Sequence, residues 1–368
     1  MGGKSRGLRV ALAAGPAVLA TLATTASPAA AAPSVRAGQG TGTLRALAAA
    51  AGHRWIGSAV DTTALAHERG YASVLARQFS SVTAENVMKW ETVESRRGAE
   101  DYGQADRLVA FARRNHMMVR GHNLVWHSQL PAWLAQGADD GTLTHAQLSS
   151  ILHRHVVDEV SHFRGRVYAW DVVNEPLNED GTLRETVWYD ALGRSYIAKA
   201  LEWAHAADPR AKLYLNDYGI EAAGPKSDGM YALAKSLLAL HVPLDGIGFE
   251  SHLDIRYPFP AGMARNLRRF AALGLDVAVT EADVRVALPG TAAERARQAD
   301  DYGRLVEACL SVRRCVSFTV WGFTDRHSWI PGFFPGEGAA DLYDRSLQPK
   351  PAYRAVHDAL AAAGSSRS

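Results

Sequence analysis

The sequence WDVVNEP at residues 170–176 and the sequence VAVTEAD at residues 277–283 indicate the fold of this chain. Each is a short apolar run that leads directly into a glutamate, Glu175 in the first and Glu281 in the second. Runs of this length that are rich in valine are typical of strands. In a parallel barrel the carboxyl ends of all strands lie on one rim, so we expect the two glutamates on the same side of the molecule.

Six further strand-like runs alternate with helical patterns along the chain. Leu152, Val156 and Val160, for example, have the spacing of a helix with one buried face. This alternation predicts a parallel sheet with helical crossovers, and about 325 residues suit a single α/β domain, a (β/α)₈ TIM barrel. The predicted strands are Trp55–Val60, Phe79–Thr83, Met118–His122, Val167–Val173, Lys212–Asn216, Gly246–Ser251, Asp276–Thr280 and Ser317–Trp321. The predicted helices include Asp106–Asn115, Thr144–Phe163, Ala191–Ala207, Ser227–Leu240, Met263–Leu273, Thr291–Val312 and Lys350–Ala363.

The first 32 residues have the pattern of a secretion signal peptide. A positively charged head precedes an apolar stretch at residues 10–22, and alanines offer cleavage sites near Ala31 or Ala32. The apolar stretch is too short and too rich in alanine for a membrane anchor, so we expect a secreted protein. We further predict a mobile lead-in at residues 33–43, one barrel domain at 44–363 and a tail at 364–368.

Charge and cysteine content restrict the partners of the chain. It has 40 basic and 38 acidic residues, and loss of the signal peptide with its three basic residues leaves 37 (40 − 3) against 38. This balance indicates neither a nucleic-acid-binding protein nor one that binds an anionic membrane, and we expect a monomer. Cys309 and Cys315 are the only cysteines. They are close in sequence in a chain that we expect to be exported, so we predict a disulfide. Two cysteines make no zinc site and the histidines show no H-E-x-x-H pattern, so we expect no metal and no organic cofactor.

Polar and charged side chains collect directly after the predicted strands, where a barrel of this kind carries its active site. A single glutamate at a strand end is often only a solvated or helix-capping carboxylate. Glu175 and Glu281 are different because each ends an apolar run, at the fourth and seventh strands, and two buried carboxyls without a function would be unfavourable. Two carboxyls that face each other across a sugar bond are the groups that hydrolyse glycosides.

Three tryptophans fit a sugar-binding cleft. Trp126, Trp321 and Trp329 have polar neighbours in the sequence, which is more typical of a cleft than of a core. Sugar rings have apolar faces that pack on aromatic side chains, while Asn, Gln, Lys and His bind the hydroxyl groups. Asp283, two residues after Glu281, is predicted to orient His252 against that glutamate.

With these residues the chain resembles glycoside hydrolase family 10, the secreted endo-β-1,4-xylanases, and most closely their actinobacterial members. The resemblance extends from about Leu44 to Leu360. It is carried by WDVVNEP and VAVTEAD together with VTAENVMKWE (82–91), GHNLVWHSQLP (121–131), LYLNDY (213–218), DGIGFESH (245–252), TVWGFTDRHSWI (319–330) and QPKPAY (348–353).

The resemblance implies a role for each candidate residue. Glu175 would be the acid/base and Glu281 the nucleophile in a retaining double displacement that hydrolyses β-1,4-xylosidic bonds within xylan. Asn174 would hold the sugar 2-hydroxyl, and His252, with Asp283 behind it, would hydrogen-bond the nucleophile. The residues implied in substrate binding are Glu85, Asn86, Lys89, His122, Trp126 and Gln129 on the glycone side, Trp321 and Trp329 beside the cleavage point with Arg326 in the same loop, and Asn216 and Tyr218 toward the leaving group.

Four residues depart from the family pattern. Ala84 stands where proline is usual, Val87 where glutamate is frequent and Ala282 where leucine is common, and we interpret these as packing changes. Glu250 stands where the family has glutamine. An ionised glutamate there would raise the pKa of the neighbouring carboxyls. We hypothesise that Glu250 is protonated in the working enzyme or shifts its pH range.

Two other functions are compatible with the residues alone. A related barrel glycosidase acting on glucan or mannan shares the fold, which does not by itself define the substrate. Glu85, Asn86 and Lys89 argue against it, because in the resembling family they bind xylose and leave little room for a C6 hydroxymethyl group. A non-catalytic carbohydrate-binding barrel is the other alternative, and the presence of both Glu175 and Glu281 argues against that.

Overall fold

Eight parallel strands form the centre of the molecule in the computed structural model, which describes residues 42–52 and 54–365. The strands are β1 (Trp55–Val60), β2 (Ser81–Ala84), β3 (Met118–Val125), β4 (Ala169–Asn174), β5 (Lys212–Asp217), β6 (Gly246–Phe249), β7 (Asp276–Ala287) and β8 (Cys315–Val320). Two shorter strands, His252–Asp254 and Glu337–Gly338, pair with β7.

The sheet closes on itself between the first and last strands. Gly57 of β1 is in register with Ser81 of β2, and Trp55 of β1 is in register with Ser317 of β8, with parallel pairing in both cases. A sheet that closes in this way has no exposed edge. The predicted (β/α)₈ barrel is therefore confirmed.

Helices connect and surround the strands. The helix His145–His162 begins at Thr144, whose side chain accepts from the N–H of Gln147 while the Gln147 side chain caps Thr144 in return. It buries Leu152 and Val156, as their spacing predicts. The helices are Leu44–Ala50, Thr62–His67, Arg69–Gln78, Trp90–Val93, Gly103–Arg114, Ala132–Asp139, His145–His162, Val187–Leu192, Tyr196–Ala207, Pro225–Ala239, Met263–Ala271, Ala292–Leu310, Ile330–Phe333 and Pro351–Ser365, with a 3₁₀ turn at Gly193–Ser195.

The seventh strand differs most from its predicted bounds. We predicted that it ends at Thr280, but β7 continues to Ala287 because its outer half pairs with the two short strands. Its pairing with β8 is irregular between Val279 and Ala282. An irregularity of this kind changes the direction in which side chains point. Glu281 thus lies at an irregularity inside a long strand rather than at a strand end.

The disulfide prediction is confirmed. Cys309, near the end of the helix Ala292–Leu310, is bonded to Cys315, the first residue of β8, and both are buried. The bond joins the last crossover helix to the strand that closes the barrel. The predicted signal peptide, nearly all of the lead-in and the last three residues of the tail lie outside the described residues. Among the helices of the described part, none combines the length and apolar character that a membrane span requires.

Candidate active site

Asn174 and Glu175 are positioned by the end of β4. Asn174 is the last residue of the strand, and Glu175 follows it with a φ of 52°. The N–H of Glu175 donates to the backbone oxygen of Asn216 on β5 at 2.8 Å. A positive φ is unfavourable for residues other than glycine, and such conformations concentrate at functional sites. The fourth strand therefore ends at the glutamate, as the sequence predicts.

Glu281 is held by two nitrogen donors. Its Oε1 accepts from Nδ2 of Asn216 at 2.8 Å, and its Oε2 accepts from Nε2 of His252 at 3.3 Å. The residue is only 5% exposed, and burial alone would raise its pKa. His122 and His252 outweigh burial and lower the pKa of the Glu281 carboxyl below its usual range. The lowered pKa therefore favours an ionised Glu281 although the residue is buried.

His252 is oriented by Asp283. Nδ1 of His252 lies 2.9 Å from Oδ2 of Asp283, and the same oxygen accepts from Nε1 of Trp329 at 2.8 Å. Burial lowers the pKa of His252, but Asp283 and Glu281 raise it to about 10. The imidazole is therefore protonated on both nitrogens, and it donates to Asp283 on one side and to Glu281 on the other.

Glu175 has the opposite electrostatic environment. Its Oε1 accepts from Nδ2 of Asn174 at 3.3 Å, and its Oε2 lies 3.9 Å from Nε2 of His127. Burial raises the pKa of the Glu175 carboxyl, and the charge of Glu281 raises it further. Two carboxyls at one site, one with a raised pKa and the other with a lowered pKa, suit acid catalysis and nucleophilic attack respectively.

A polar cluster follows β2 and β3 on one side of the acid pair. Nζ of Lys89 donates to Oδ1 of Asn86 at 3.0 Å and to Oε1 of Gln129 at 2.7 Å, and it lies 5.1 Å from the centre of the Trp126 ring. Glu85 borders the cluster, where Nδ2 of Asn86 donates to it at 3.4 Å. Burial raises the pKa of Glu85 to about 7, with Asp61 contributing and Lys89 opposing. The structure thus brings together five residues predicted to bind the glycone.

Trp321 and Tyr218 lie on other sides of the same centre. Trp321 is 7% exposed, and its ring centre is 4.9 Å from that of His122 and 6.4 Å from that of His252. The hydroxyl of Tyr218 accepts from Arg184 at 3.2 Å, and Nζ of Lys226 lies 3.2 Å from the centre of its ring. Tyr218 is half-buried and follows β5, on the side predicted for the leaving group.

Asn216 differs from its predicted role in substrate binding. Its side chain is fully buried, so it lies beneath the site instead of lining the cleft. Nδ2 of Asn216 lies 2.8 Å from Oδ1 of Asn174, 2.8 Å from Glu281 and 3.1 Å from Glu250, while its Oδ1 accepts from Thr280. The Asn216 amide thus connects Asn174, Glu281 and Glu250 from below, which corrects its predicted place among the residues that line the cleft.

His122 is buried beside Glu281. It is 1% exposed, its Nδ1 lies 3.0 Å from Oδ2 of Asp171, and the same nitrogen lies 3.8 Å from Glu281. Asp171 in turn pairs with Arg120, and both of these side chains are buried. His122 therefore packs against Glu281 at the base of the site, and its contact with substrate stays a prediction. The Arg120–Asp171 pair is detectable in the sequence as charged residues inside apolar strands.

Arg326 does not join the site. It is exposed, and it pairs with Glu68 at 3.3 Å and donates to the backbone oxygen of Arg345 at 2.8 Å. These partners lie in other loops of the barrel. Within the part of the chain that the structure describes, no contact links Arg326 to the acid pair, so its predicted place among the substrate-binding residues is not supported.

Comparison with known proteins agrees with this geometry. The model of a protein family described as glycosyl hydrolase family 10 matches residues 43–359. The chain belongs to glycosyl hydrolase family 10. It is 45% identical over 315 residues to endo-1,4-beta-xylanase C of Phanerodontia chrysosporium, with 85% of this chain and 78% of that protein covered. It is 44% identical over 291 residues to endo-1,4-beta-xylanase B of Thermotoga neapolitana, covering 79% and 83% of the two chains.

Solved structures show the same fold. Native xylanase 10B from Thermotoga maritima superposes with a TM-score of 0.84 at 41% identity, covering 88% of this chain and all of that one. Xylanase 10B from Thermotoga petrophila in complex with xylobiose superposes with a TM-score of 0.83 at 42% identity, covering 86% of this chain and 97% of that one.

The family 10 site also contains two residues to which the sequence assigned no role. Arg184 donates from Nε to the backbone oxygen of Glu175 at 3.1 Å and fixes the turn that carries it. His127 faces the Glu175 carboxyl, and burial, with Arg184 and Lys226, lowers the pKa of His127 to about 4. A neutral His127 adds no positive charge beside Glu175. The signal for His127 was its position directly after Trp126, but nothing in the local sequence identified Arg184.

Glu250, His252 and Glu281 form a compact group in this family 10 protein. One nitrogen or oxygen from each lies within 4.8 Å of the other two. Such spacing is also that of metal ligands, but Nε2 of His252 carries a proton that it donates to Glu281. The donor chemistry therefore favours a hydrogen-bonded group over a metal site.

Proposed function

We propose that this protein is an endo-1,4-β-xylanase that hydrolyses internal β-1,4-xylosidic bonds of xylan with retention of anomeric configuration. The observation that carries the proposal is the pair of carboxyls with opposite environments, Glu175 with a raised pKa and Glu281 with a lowered one. Family membership and relatives named as endo-1,4-beta-xylanases support the substrate class.

The first step forms a glycosyl-enzyme. Ionised Glu281 attacks the anomeric carbon, the bond from that carbon to the bridging oxygen breaks, and Glu175 transfers its proton to that oxygen. His252 and Asn216 hold the Glu281 carboxylate in its attacking position with one hydrogen bond to each oxygen. The leaving sugar chain departs as an alcohol.

The second step releases the product. Glu175, now ionised, removes a proton from a water molecule whose oxygen attacks the anomeric carbon, and the bond to Glu281 breaks. Both acids are thereby restored to their starting states. Two displacements at the same carbon give net retention.

Substrate binding is divided between two sides of the acid pair. On the glycone side Lys89, Asn86, Gln129 and Glu85 bind hydroxyl groups, and Trp126 and Trp321 pack on sugar faces. Asn174, which is adjacent to the acid, binds the 2-hydroxyl, and Tyr218 contacts the leaving-group side. Trp329 flanks the cleavage point, and its hydrogen bond to Asp283 holds the indole ring in place.

The protein is exported as a monomer after cleavage of its signal peptide near Ala31 or Ala32, and residues 44–363 form its catalytic domain. The pattern of residues 1–32 and the buried Cys309–Cys315 disulfide support export, since disulfides persist in oxidising compartments. The motifs also favour an actinobacterial type of family 10 enzyme, although the relatives compared above are fungal and from Thermotoga.

Release of reducing sugar tests the function. Wild-type protein and the E281A variant are incubated separately with xylan, cellulose and mannan. We expect release from xylan by the wild type only, with the α-anomer absent from the first products when their configuration is followed by NMR. Greater release from cellulose or mannan than from xylan would show that the protein is a glucanase or a mannanase. If E281A released as much sugar as wild type, Glu281 would not be the nucleophile.

A further inference from the structure

Glu250 faces the same two nitrogen donors as the nucleophile. It directly follows β6, it is 2% exposed, and its Oε1 lies 3.1 Å from Nδ2 of Asn216. Its Oε2 lies 3.7 Å from Nε2 of His252. Glu281 accepts from these nitrogens at 2.8 Å and 3.3 Å. Each donor that orients Glu281 therefore has a second carboxyl beside it.

The donors carry too few hydrogens for two ionised carboxyls. The Asn216 amide has two hydrogens and faces three oxygens, those of Asn174, Glu281 and Glu250. Its orientation is fixed, because its Oδ1 accepts from Oγ1 of Thr280 at 2.7 Å. Nε2 of His252 has one hydrogen for two carboxyls. An ionised Glu250 would thus take hydrogen bonds away from Glu281.

The charges that face Glu250 also favour its protonated form. Burial raises the pKa of the Glu250 carboxyl well above its ordinary range, and the surrounding carboxyls raise it further. His252 is the cation beside it, but Asp283 and Glu281 are the closer partners of that imidazole. Four carboxyls face Glu250: Glu281 on β7, Glu175 after β4, Asp217 at the end of β5 and Glu221 in the loop after β5. Asp217 is paired with Lys226.

We propose that Glu250 is a positioning residue that stays protonated while Glu281 is ionised, and that its ionisation sets the upper pH limit of glycosyl-enzyme formation. A protonated carboxyl is a weaker acceptor than a carboxylate, so both donors stay on the nucleophile. Once Glu250 ionises, it competes for the hydrogens of Asn216 and His252 and Glu281 loses its fixed orientation. This inference rests on the proposed function, because it requires Glu281 to be the nucleophile.

An activated substrate isolates the step in question. The leaving group of 2,4-dinitrophenyl β-xylobioside departs without a proton donor, so its kcat/KM reports glycosyl-enzyme formation without the protonation state of Glu175. In E250Q we expect kcat/KM to fall at a pH that is about one unit or more above the pH at which it falls in wild type, because glutamine stays neutral. E221Q and E175Q each remove a carboxyl that raises the pKa of Glu250, so in both variants the decrease should lie at or below the wild-type pH. A shift to higher pH is expected of E250Q alone.

Coincident alkaline decreases in wild type and E250Q would overturn the proposal, and so would a shift to higher pH that appears in E175Q or E221Q instead of E250Q. A second readout does not depend on activity. The infrared carbonyl band of un-ionised carboxylic acids at neutral pH should be weaker in E250Q than in wild type, and an unchanged band would also overturn the proposal. Wild-type protein that releases no sugar from xylan would instead contradict the proposed function, so the two failures are distinguishable.

Discussion

The indole N–H of Trp329 donates to the same Asp283 oxygen that accepts from His252. One carboxylate oxygen therefore links a tryptophan of the last barrel loop to the imidazole that holds the nucleophile. His252 and Trp329 also contact each other, with ring centres 5.1 Å apart. Because both rings are held by the same oxygen, we expect Trp329 to affect catalysis through Asp283 as well as through contact with sugar.

Replacement of Trp329 by phenylalanine tests this link. The W329F variant keeps an aromatic face but loses the N–H, and a hydrogen bond to a charged acceptor contributes about 1.5–3 kcal/mol. We expect kcat/KM on xylohexaose to decrease by about tenfold or more, mainly through kcat, because His252 is held less firmly against Glu281. Trp203→Phe, on the helix Tyr196–Ala207, is the matched control and should leave kcat/KM unchanged. A loss confined to KM would indicate that Trp329 acts only as a sugar platform.

The raised pKa of Glu85 predicts a pH-dependent KM. Burial, followed by Asp61, raises this pKa to about 7, so Glu85 is neutral below that pH and ionised above it. A carboxylate accepts more strongly than a carboxylic acid, so KM for xylo-oligosaccharides should decrease by roughly threefold to tenfold as the pH rises from about 6 to about 8. In E85Q this dependence should disappear. Glu100→Gln, whose carboxyl lies outside the polar cluster, should retain it, and a pH-independent KM in the wild type would contradict the prediction.

Removal of metal ions should leave the enzyme active. Glu250, His252 and Glu281 are close enough to hold a cation, but both nitrogens of His252 are proton donors. We expect dialysis against EDTA to change kcat on xylan by less than about twofold. The measurement is made before and after return of Ca²⁺, Mg²⁺ or Zn²⁺. Loss of activity that one of these ions restores would show that the group is a metal site.

The disulfide should stabilise the barrel without affecting catalysis. Cys315 lies six positions after Cys309, and closing so short a loop stabilises the folded state by about 2 kcal/mol. The C309A/C315A double variant should therefore unfold about 3 °C below wild type by calorimetry. Its kcat on xylan at 25 °C should equal that of wild type, since the bond lies in the shell between helix and strand. A Tm equal to that of wild type would mean that the loop is ordered without the bond.

The barrel and its two acids were predictable because their signals are local. Most strands are short apolar runs, and WDVVNEP shows the strand, the turn and Glu175 within seven residues. The length of β7 was not predictable, because its outer half depends on pairing with Glu337 and Gly338, which lie about fifty residues away. Local sequence carries no information about such partners.

The errors in the site have the same origin. Arg326 follows β8 as the sequence shows, but its direction is decided by Glu68, 258 residues earlier in the chain. Asn216 and His122 lie at the predicted rim, and their burial depends on how far neighbouring strands and loops extend over them. Residue type and strand position thus identified the members of the site. The packed structure was needed to distinguish side chains that line the cleft from side chains that support them.

Gly248 on β6 determines which substitutions the enzyme tolerates. A Cβ atom at this position would lie 2.0 Å from Oδ1 of Asn216 and 2.9 Å from a methyl group of Thr280. Even alanine would push the amide out of its place between Asn174 and Glu281. In directed evolution for new substrates, residue 248 should therefore be excluded from the randomised positions, since each replacement there would inactivate variants whose other changes were beneficial.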